Sequence, residues 1–433
     1  MIRRSFAKIL WLSTDVSGTG LYFPYHVVHK KGEIMDLTGR WSEAENIYRQ
    51  NLQWAEAAGD RQALARSRSK LGWVLHKKGE SRGALELLSQ ARSSFQEMGN
   101  LYDLASVLNK MGVVYTSQSE YAQAGELLEQ SLSCSRELGL RQEISIALTN
   151  LGNLYGDLGD NRKALECYQE SYRADSEAGD QYGACIDQGN IGWVYQSMSD
   201  YGRAVECWEQ QARWARYFGD KHILSIALGN ISAVQMSQGL YDQARRGINA
   251  RLGIAREMGD RKGQSISLSH LARLHKMTGD QSAARQCLEQ AIELARSINI
   301  RYYLTLFYEE LAWLLFEMKE TAGAQDCCTE AEKLARAIGK KDTAFVCGLL
   351  RAKLLACSDQ ATALDAMRQL DALAGSKGRQ ALLCYEMFKL SKQEAQRSKA
   401  LELYRELYGT AQEVDYRDKI EELEKNEGPQ KAR

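Results

Sequence analysis

The sequence predicts an all-α chain: an α-solenoid built from stacked helix–turn–helix units. Three observations carry the prediction. Gly59, Gly99, Gly139, Gly179, Gly219, Gly259 and Gly339 recur at a period of 40 residues. One alanine column keeps the same period through Ala44, Ala84, Ala124, Ala164, Ala204, Ala244, Ala284 and Ala324. Proline occurs only twice in 433 residues, as Pro24 and Pro429. A loop-rich β protein rarely avoids for so long a residue that suits turns and breaks helix interiors.

Composition narrows the function classes. Apolar residues make up 44% and charged residues 26%, as in globular chains rather than disordered ones. Lys+Arg and Asp+Glu both number 56, so the formal charge is zero. That balance argues against a protein that coats nucleic acid through bulk charge, while leaving a local patch open; no nucleic-acid partner is expected.

Along the chain, residues 1–24 read as a flank or leader. The basic start is followed by a short apolar run, Ile9–Leu12, shorter than the roughly 7–15 residues of a secretion signal. An amphipathic membrane- or partner-binding segment is the alternative. No stretch approaches the roughly 18 apolar residues that a membrane span needs.

Residues 25–344 divide into eight units of 40 residues, with Tyr25 as slot 1 of the first. At the inter-unit turn, Gly is replaced once, by Asn299. Gly and Asn are the residues that best tolerate the left-handed conformation closing a helix. The next position is Asp60, Asn100, Asp180, Asp220 or Asp260 in five units, each a predicted N-cap. A second turn lies halfway, at Gly39, Gly79, Gly159, Gly239 and Gly279, with Ser119, Ser199 and Lys319 in the same slot elsewhere. Each unit is therefore two helices, A and B, of about 16–18 residues.

Helix A repeats an L-G-x-x-Y theme, as in Met111-Gly112 with Tyr115, Leu151-Gly152 with Tyr155 and Ile191-Gly192 with Tyr195. In helix B, four residues after the alanine column, comes a large side chain: Tyr48, Leu88, Leu128, Tyr168, Trp208, Ile248 or Leu288, with Cys328 the small exception. Small residues let helices approach, and bulky ones fill the neighbouring gaps. Residues 345–425 echo the pattern out of phase, at Ala381–Tyr385 and Ala400–Tyr404, and read as degenerate capping helices. Residues 426–433 read as a disordered tail.

These glycine, alanine and apolar columns resemble the tetratricopeptide repeat (TPR). Two departures, a 40-residue rather than 34-residue unit and no proline after helix B, resemble the long-repeat branch of LGN/Pins-type adaptors and the C-terminal arrays of bacterial adenylate cyclases and STAND ATPases. The resemblance implies a right-handed superhelix whose concave groove is lined by helix A slots 2, 5, 6, 9, 12 and 13, each slot aligned into a ladder.

Slot 6 reads Lys30, Lys70, Lys110, Asn150, Asn190, Asn230, His270, Glu310, and slot 9 includes Asn153, Trp193 and Arg273. Asparagine offers donor and acceptor together, and by resemblance Asn150, Asn153, Asn190 and Asn230 pair with peptide backbone or a terminal carboxylate. The structural alternative is that slot 6 braces neighbouring helices. Gly189 and Gly229 at slot 5 leave room over Trp193, an expected anchor pocket. The Lys30–Lys70–Lys110 row favours an acidic or C-terminal segment, and Glu309, Glu310 and Glu317 favour the basic end of such a ligand. The expected peptide-binding residues are thus Lys70, Lys110, Asn150, Asn153, Asn190, Trp193, Asn230, His270 and Arg273.

No catalytic, cofactor or metal motif stands out. Gly375–Gly378 is too short for a phosphate-binding loop. His26 and His29 lie one helical turn apart but lack an evident third ligand. Ten cysteines include no CxxC; Cys167, Cys207, Cys287 and Cys327 share a slot that elsewhere holds Ile47, Leu87 and Leu127, so they are expected to replace core aliphatics as reduced thiols in a cytoplasmic protein. The expectation is a non-catalytic interaction scaffold with no cofactor. The alternative is a regulatory or sensor region of a nucleotide-signalling enzyme, which the abrupt half-motif Val28–Gly32 also suits.

Overall fold

The computed structural model describes residues 24–425 except positions 341, 357 and 412, so the expected leader and tail lie outside the described residues. Among these residues there are helices and no strand. The chain divides into two compact units, residues 1–190 and 191–433.

The first unit contains α1 (Pro24–Leu37), α2 (Trp41–Ala57), α3 (Arg61–Lys77), α4 (Ser81–Glu97), α5 (Leu101–Ser117), α6 (Tyr121–Glu137), α7 (Arg141–Asp157), α8 (Asn161–Ala178) and the start of α9 (Gln181–Ser197). Odd-numbered helices are the A helices and even-numbered ones the B helices. The turns behave as their residues require. Gly59, Gly99 and Gly139 take positive φ, and Ser119 does so without being glycine (φ 63°). The side chains of Asp60, Asn100 and Asp180 accept hydrogen bonds from the backbone N–H groups of Ala63, Asp103 and Gly183. Asp160 does the same for Lys163, at a turn whose cap the sequence reading passed over.

Packing follows the size columns. Ala44, Ala84, Ala124 and Ala164 are buried, as are Tyr48, Leu88, Leu128 and Tyr168 four residues on. The helix A glycines seat those large side chains. A Cβ at Gly72 would lie 2.9 Å from Leu88, at Gly112 2.6 Å from Leu128, and at Gly152 2.6 Å from Tyr168. Each A helix packs on the B helix of its own repeat, and that B helix on the next A helix. Successive A helices (α3 with α5, α5 with α7) also touch, so the slots of neighbouring repeats can bond laterally.

The second unit continues with the end of α9, then α10 (Tyr201–Phe218), α11 (Lys221–Ser237), α12 (Tyr241–Glu257), α13 (Arg261–Met277), α14 (Gln281–Ser297), α15 (Arg301–Glu317) and α16 (Thr321–Ile338). The same rules hold. Asp220 caps Ile223 and Asp260 caps Gly263, while Ser199, Asn299 and Lys319 sit at φ 60°, 53° and 65°. At the helix A notch, Gly192 faces Trp208 at 2.6 Å. Later repeats put Ser232, Ala272 and Ala312 in the notch and reduce the buried partner to Ile248, Leu288 and Cys328. Where the notch residue carries a Cβ, its partner is no longer aromatic.

After residue 338 the period is lost. α17 (Thr343–Leu355), α18 (Gln360–Gln369), a 3-10 turn (Asp371–Leu373), α19 (Lys377–Ser391), α20 (Glu394–Thr410) and α21 (Val414–Lys425) close the unit. The echoes seen in sequence are core positions: Ala381, Tyr385, Ala400 and Tyr404 pack together with Leu423. Sequence did not signal where this end goes. Tyr201 donates a 2.9 Å hydrogen bond to Glu413, and Val414 lies against Gly239, so α20 and α21 reach the turns that follow α9 and α11.

Candidate functional site

The slots that vary between repeats lie on the A helices, and in the first unit most of their polar groups are already paired. The pairing follows two offsets, 37 and 41 residues, three short of and one past the repeat step and so about one helical turn apart. Lys70 bonds Glu33 at 2.9 Å, Lys110 Nζ donates to Ser69 Oγ at 3.0 Å, and Asn150 donates to Asn109 Oδ1 at 3.0 Å. Lys77–Asp36 and Arg66–Asp103, both 2.8 Å, continue the rungs. Asn153 is exposed, yet its carbonyl accepts the buried Tyr168 hydroxyl at 2.7 Å. Bracing of neighbouring helices, the structural alternative, thus describes Lys70, Lys110 and Asn150. Asn190 is half-buried and makes no such rung among the described residues.

The lysine row does not present three free cations. Lys30 and Lys70 both bond Glu33. Burial raises the Glu33 carboxyl, but hydrogen bonds and charge from the two lysines outweigh this and hold it at about 2. Burial first, then the Lys70 charge, brings the Lys110 ammonium down to about 7. An acidic ligand would find little uncompensated charge there.

One buried polar cluster was not legible in sequence. Ser145, Thr149, Ser171, Asp175 and Asp187 meet between α7, α8 and α9. Ser171 Oγ lies 3.0 Å from Ser145 Oγ and 2.9 Å from Thr149 Oγ1, and Thr149 donates to Asp187 Oδ1 at 3.2 Å. Asp187 is only 1% exposed, and its Oδ2 lacks a partner. Burial and the nearby Asp175 charge push its carboxyl up to about 7, against hydrogen bonds from Ser171 and Thr149. Burial raises Asp175 as well.

In the second unit the varied face is more open. Trp193 is 44% exposed, and Ile226 at slot 2 is 43% exposed. Asn230 is half-buried and makes no rung among the described residues. Gly229 does not leave a vacancy over Trp193 as expected: the guanidinium of Arg251, from α12, lies against it, with Nη1 2.9 Å from where a Cβ would be. Arg251 belongs to a B helix, outside the helix A slots from which the groove residues were expected. His270 is held down at about 3 by burial and by the charges of Arg251 and Arg273, so its imidazole is neutral.

Arg273 pairs with Glu310 at 2.7 Å, and Ser269 donates to the other Glu310 oxygen at 2.8 Å. The acidic cluster is likewise compensated: Glu309 meets Lys340, Glu310 meets Arg273, and Glu317 meets Lys276. Beside it, a recess of about 330 Å³ is lined by Arg273, Glu309, Glu310, Trp313 and Val346. Lys353 Nζ lies 5.2 Å from the Trp313 ring.

The repeat-slot cysteines are half-buried rather than core residues, and burial pushes Cys167, Cys207 and Cys327 up to about 11, so they are protonated thiols. The His26 side chain lies outside the described residues. His29 sits 3.6 Å from Glu33, and among the described residues no group of three metal-ligating side chains forms. No described helix is long and apolar enough to cross a membrane.

No curated protein sequence matches the chain. Solved structures share its fold at low identity. Apo RapI is 17% identical, covering 64% of this chain and 99% of its own, with a TM-score of 0.53. A signal transduction ATPase with numerous domains (STAND) protein with a tetratricopeptide repeat sensor, from Pyrococcus horikoshii, is 12% identical over 73% of this chain and 48% of its own, at 0.59. A Rap protein complexed with competence and sporulation factor is 11% identical over 84% and 98%, at 0.52. The family model for the tetratricopeptide repeat matches residues 27–97, 103–177 and 223–297, just over half of the sequence. By this match, together with its glycine and Asx turns, notched helix A and alanine column, the chain belongs to the tetratricopeptide repeat family.

Proposed function

We infer that the chain is a non-catalytic scaffold that binds a peptide or protein segment on its A-helix face. The observation that carries this reading is apolar exposure on a face where many of the polar varied positions are already paired. In the second unit, slot 2 presents Ile226 at 43% exposure and slot 9 presents Trp193 at 44%; the first unit, taken by itself, presents Ile146 and Ile186 at slot 2. Such residues on a face that also carries amides supply what an extended segment needs: apolar contact for side chains and donor–acceptor groups for backbone. The Rap protein complexed with competence and sporulation factor supports the reading by likeness of fold alone.

Selection from a displayed random-peptide library, followed by calorimetric titration of a selected peptide, tests it. Trp193→Ala combined with Asn230→Ala should weaken binding by about thirtyfold or more, the loss expected for an aromatic anchor, with helical circular dichroism unchanged. Unaltered affinity in the double variant contradicts the assignment.

A second reading, a sensor region acting with a nucleotide-signalling enzyme, draws on the fold shared with the STAND protein. A cyclase or ATPase domain encoded immediately upstream of this chain would favour it.

A further inference from the structure

In three repeats, the space between slot 5 of one A helix and slot 6 of the next is closed by a direct side-chain bond: Ser69 with Lys110, Asn109 with Asn150, and Ser269 with Glu310. The equivalent pair in the second unit is Gly229 and His270. Glycine has no side chain to offer, and the gap is taken instead by Arg251, reaching across from α12. Its guanidinium lies flat against Gly229, with Nη1, Cζ and Nε at 2.9, 3.0 and 3.1 Å from an ideal Cβ position.

This arginine has no acceptor. Its Nε is buried without a partner, and among the described residues it makes neither a hydrogen bond nor an ion pair. His270 cannot compensate it: its Nδ1 is also buried and unpaired. The one carboxylate that acts on Arg251 is that of Asp260, which is occupied in capping Gly263. Arg273, the next cation on this face, is neutralised by Glu310. Only Nε is withdrawn from water, the Nη groups being reached by solvent; a guanidinium nitrogen buried without a partner is destabilising, and an apolar side chain of similar length would fill the same gap at lower cost.

We propose that Arg251, seated in the Gly229 gap beside His270, is a recognition site for a carboxylate of the bound peptide. The proposal deepens the peptide-binding reading and rests on it. The free N–H groups of a guanidinium match two carboxylate oxygens in a planar fork. The available charge selects the class: one uncompensated cation beside a neutral imidazole balances a monoanion, whereas a phosphate dianion would leave a negative charge over. The carboxylate can belong to an Asp or Glu side chain or to the peptide's C-terminus, and the test separates these.

The probe is an array of random-sequence nonapeptides whose central residue is fixed as Asp, Glu, Asn, Gln or phosphoserine, each with a free or amidated C-terminus. It is read with the full chain as wild type, Arg251→Met and Gly229→Ala. The wild type should favour acid over amide spots by about tenfold. Both variants should lose that preference; Gly229→Ala keeps the arginine but puts a methyl in its seat. Preference for a free over an amidated terminus assigns the carboxylate to the C-terminus, and preference for central Asp or Glu assigns it to a side chain. Equal binding of acid and amide peptides by the wild type overturns the site and leaves the scaffold reading standing, as does a preference for phosphoserine alone. An array on which nothing binds overturns both. Thermal melting gives an independent arm: Arg251→Met should melt at or above the wild-type temperature, because it relieves an unpaired charge. A clear fall would make Arg251 a structural brace and end the proposal.

Discussion

Replacing Asp187 with Asn should stabilise the chain at about pH 8 and leave it almost unchanged at about pH 4. Asp187 is fully enclosed between α7, α8 and α9, with hydroxyls as neighbours, a second carboxyl nearby and no cation. Its carboxyl titrates at about 7 rather than its ordinary 3.8. Between those values the folded chain holds a proton that the unfolded chain has released. Stability is therefore full below about pH 4 and is lost as pH rises through 7. A displacement of about three pH units corresponds to roughly 4 kcal/mol at alkaline pH. For a unit that ends at Asn190, each kcal/mol moves the melting temperature by about 2–4 °C, so the variant should gain roughly 8–15 °C at about pH 8. The assay is thermal melting followed by far-ultraviolet circular dichroism from about pH 4 to 9, read as the difference between variant and wild type, so that other titrating groups cancel. Parallel curves, or a variant that loses stability at alkaline pH, would refute the reasoning.

Other predictions concern packing, a buried amine and the C-terminal helices. Gly192→Ala puts a methyl 2.6 Å from the Trp208 ring and should cost about 1–3 kcal/mol; adding Trp208→Leu should recover part of that loss, because Ala272 already faces Leu288 elsewhere, and a strictly additive double-mutant cycle in urea melts would reject the notch. Lys110, at about 7, releases its proton on folding above that pH. Lys110→Met should therefore stabilise most below about pH 7, where the amine is charged in both states, and progressively less up to about pH 10, where the unfolded amine is also neutral; a gain that is flat with pH would count against a buried ammonium. Tyr201→Phe removes the hydrogen bond to Glu413 and should cost about 1 kcal/mol, with faster amide exchange in Val414–Lys425; unchanged exchange would mean that this contact does not hold the last helices.

How much of this was legible in advance depends on whether a residue's role is local. The turns were legible because a left-handed backbone conformation can be met only by residues that tolerate it. Asn299, Ser199 and Lys319 take it where glycine is missing, and Asp60, Asn100, Asp180, Asp220 and Asp260 all cap as their place after the turn requires. The notch was legible as paired columns, since Gly192 with Trp208 and Ala272 with Leu288 pair small with large at one spacing. The ligand-facing surface was legible only as a set of slots. Which side chains in those slots remain available depends on partners 37 or 41 residues away, as for Lys70 on Glu33 and Asn150 on Asn109.

The sequence by itself determined the period, the helices, their caps and the family, because each of these follows from backbone geometry and side-chain volume repeated within 40 residues. Tertiary structure alone decided where charge survives. Lys30 and Lys70 share Glu33 and burial lowers Lys110 to about 7, whereas Arg251, from a B helix outside the expected groove slots, occupies the gap left by Gly229 with no bonded counter-charge. The physical reason is that desolvation and pairing act through space over a few ångströms, and a repeat period specifies which slot a residue holds but not which neighbours reach it.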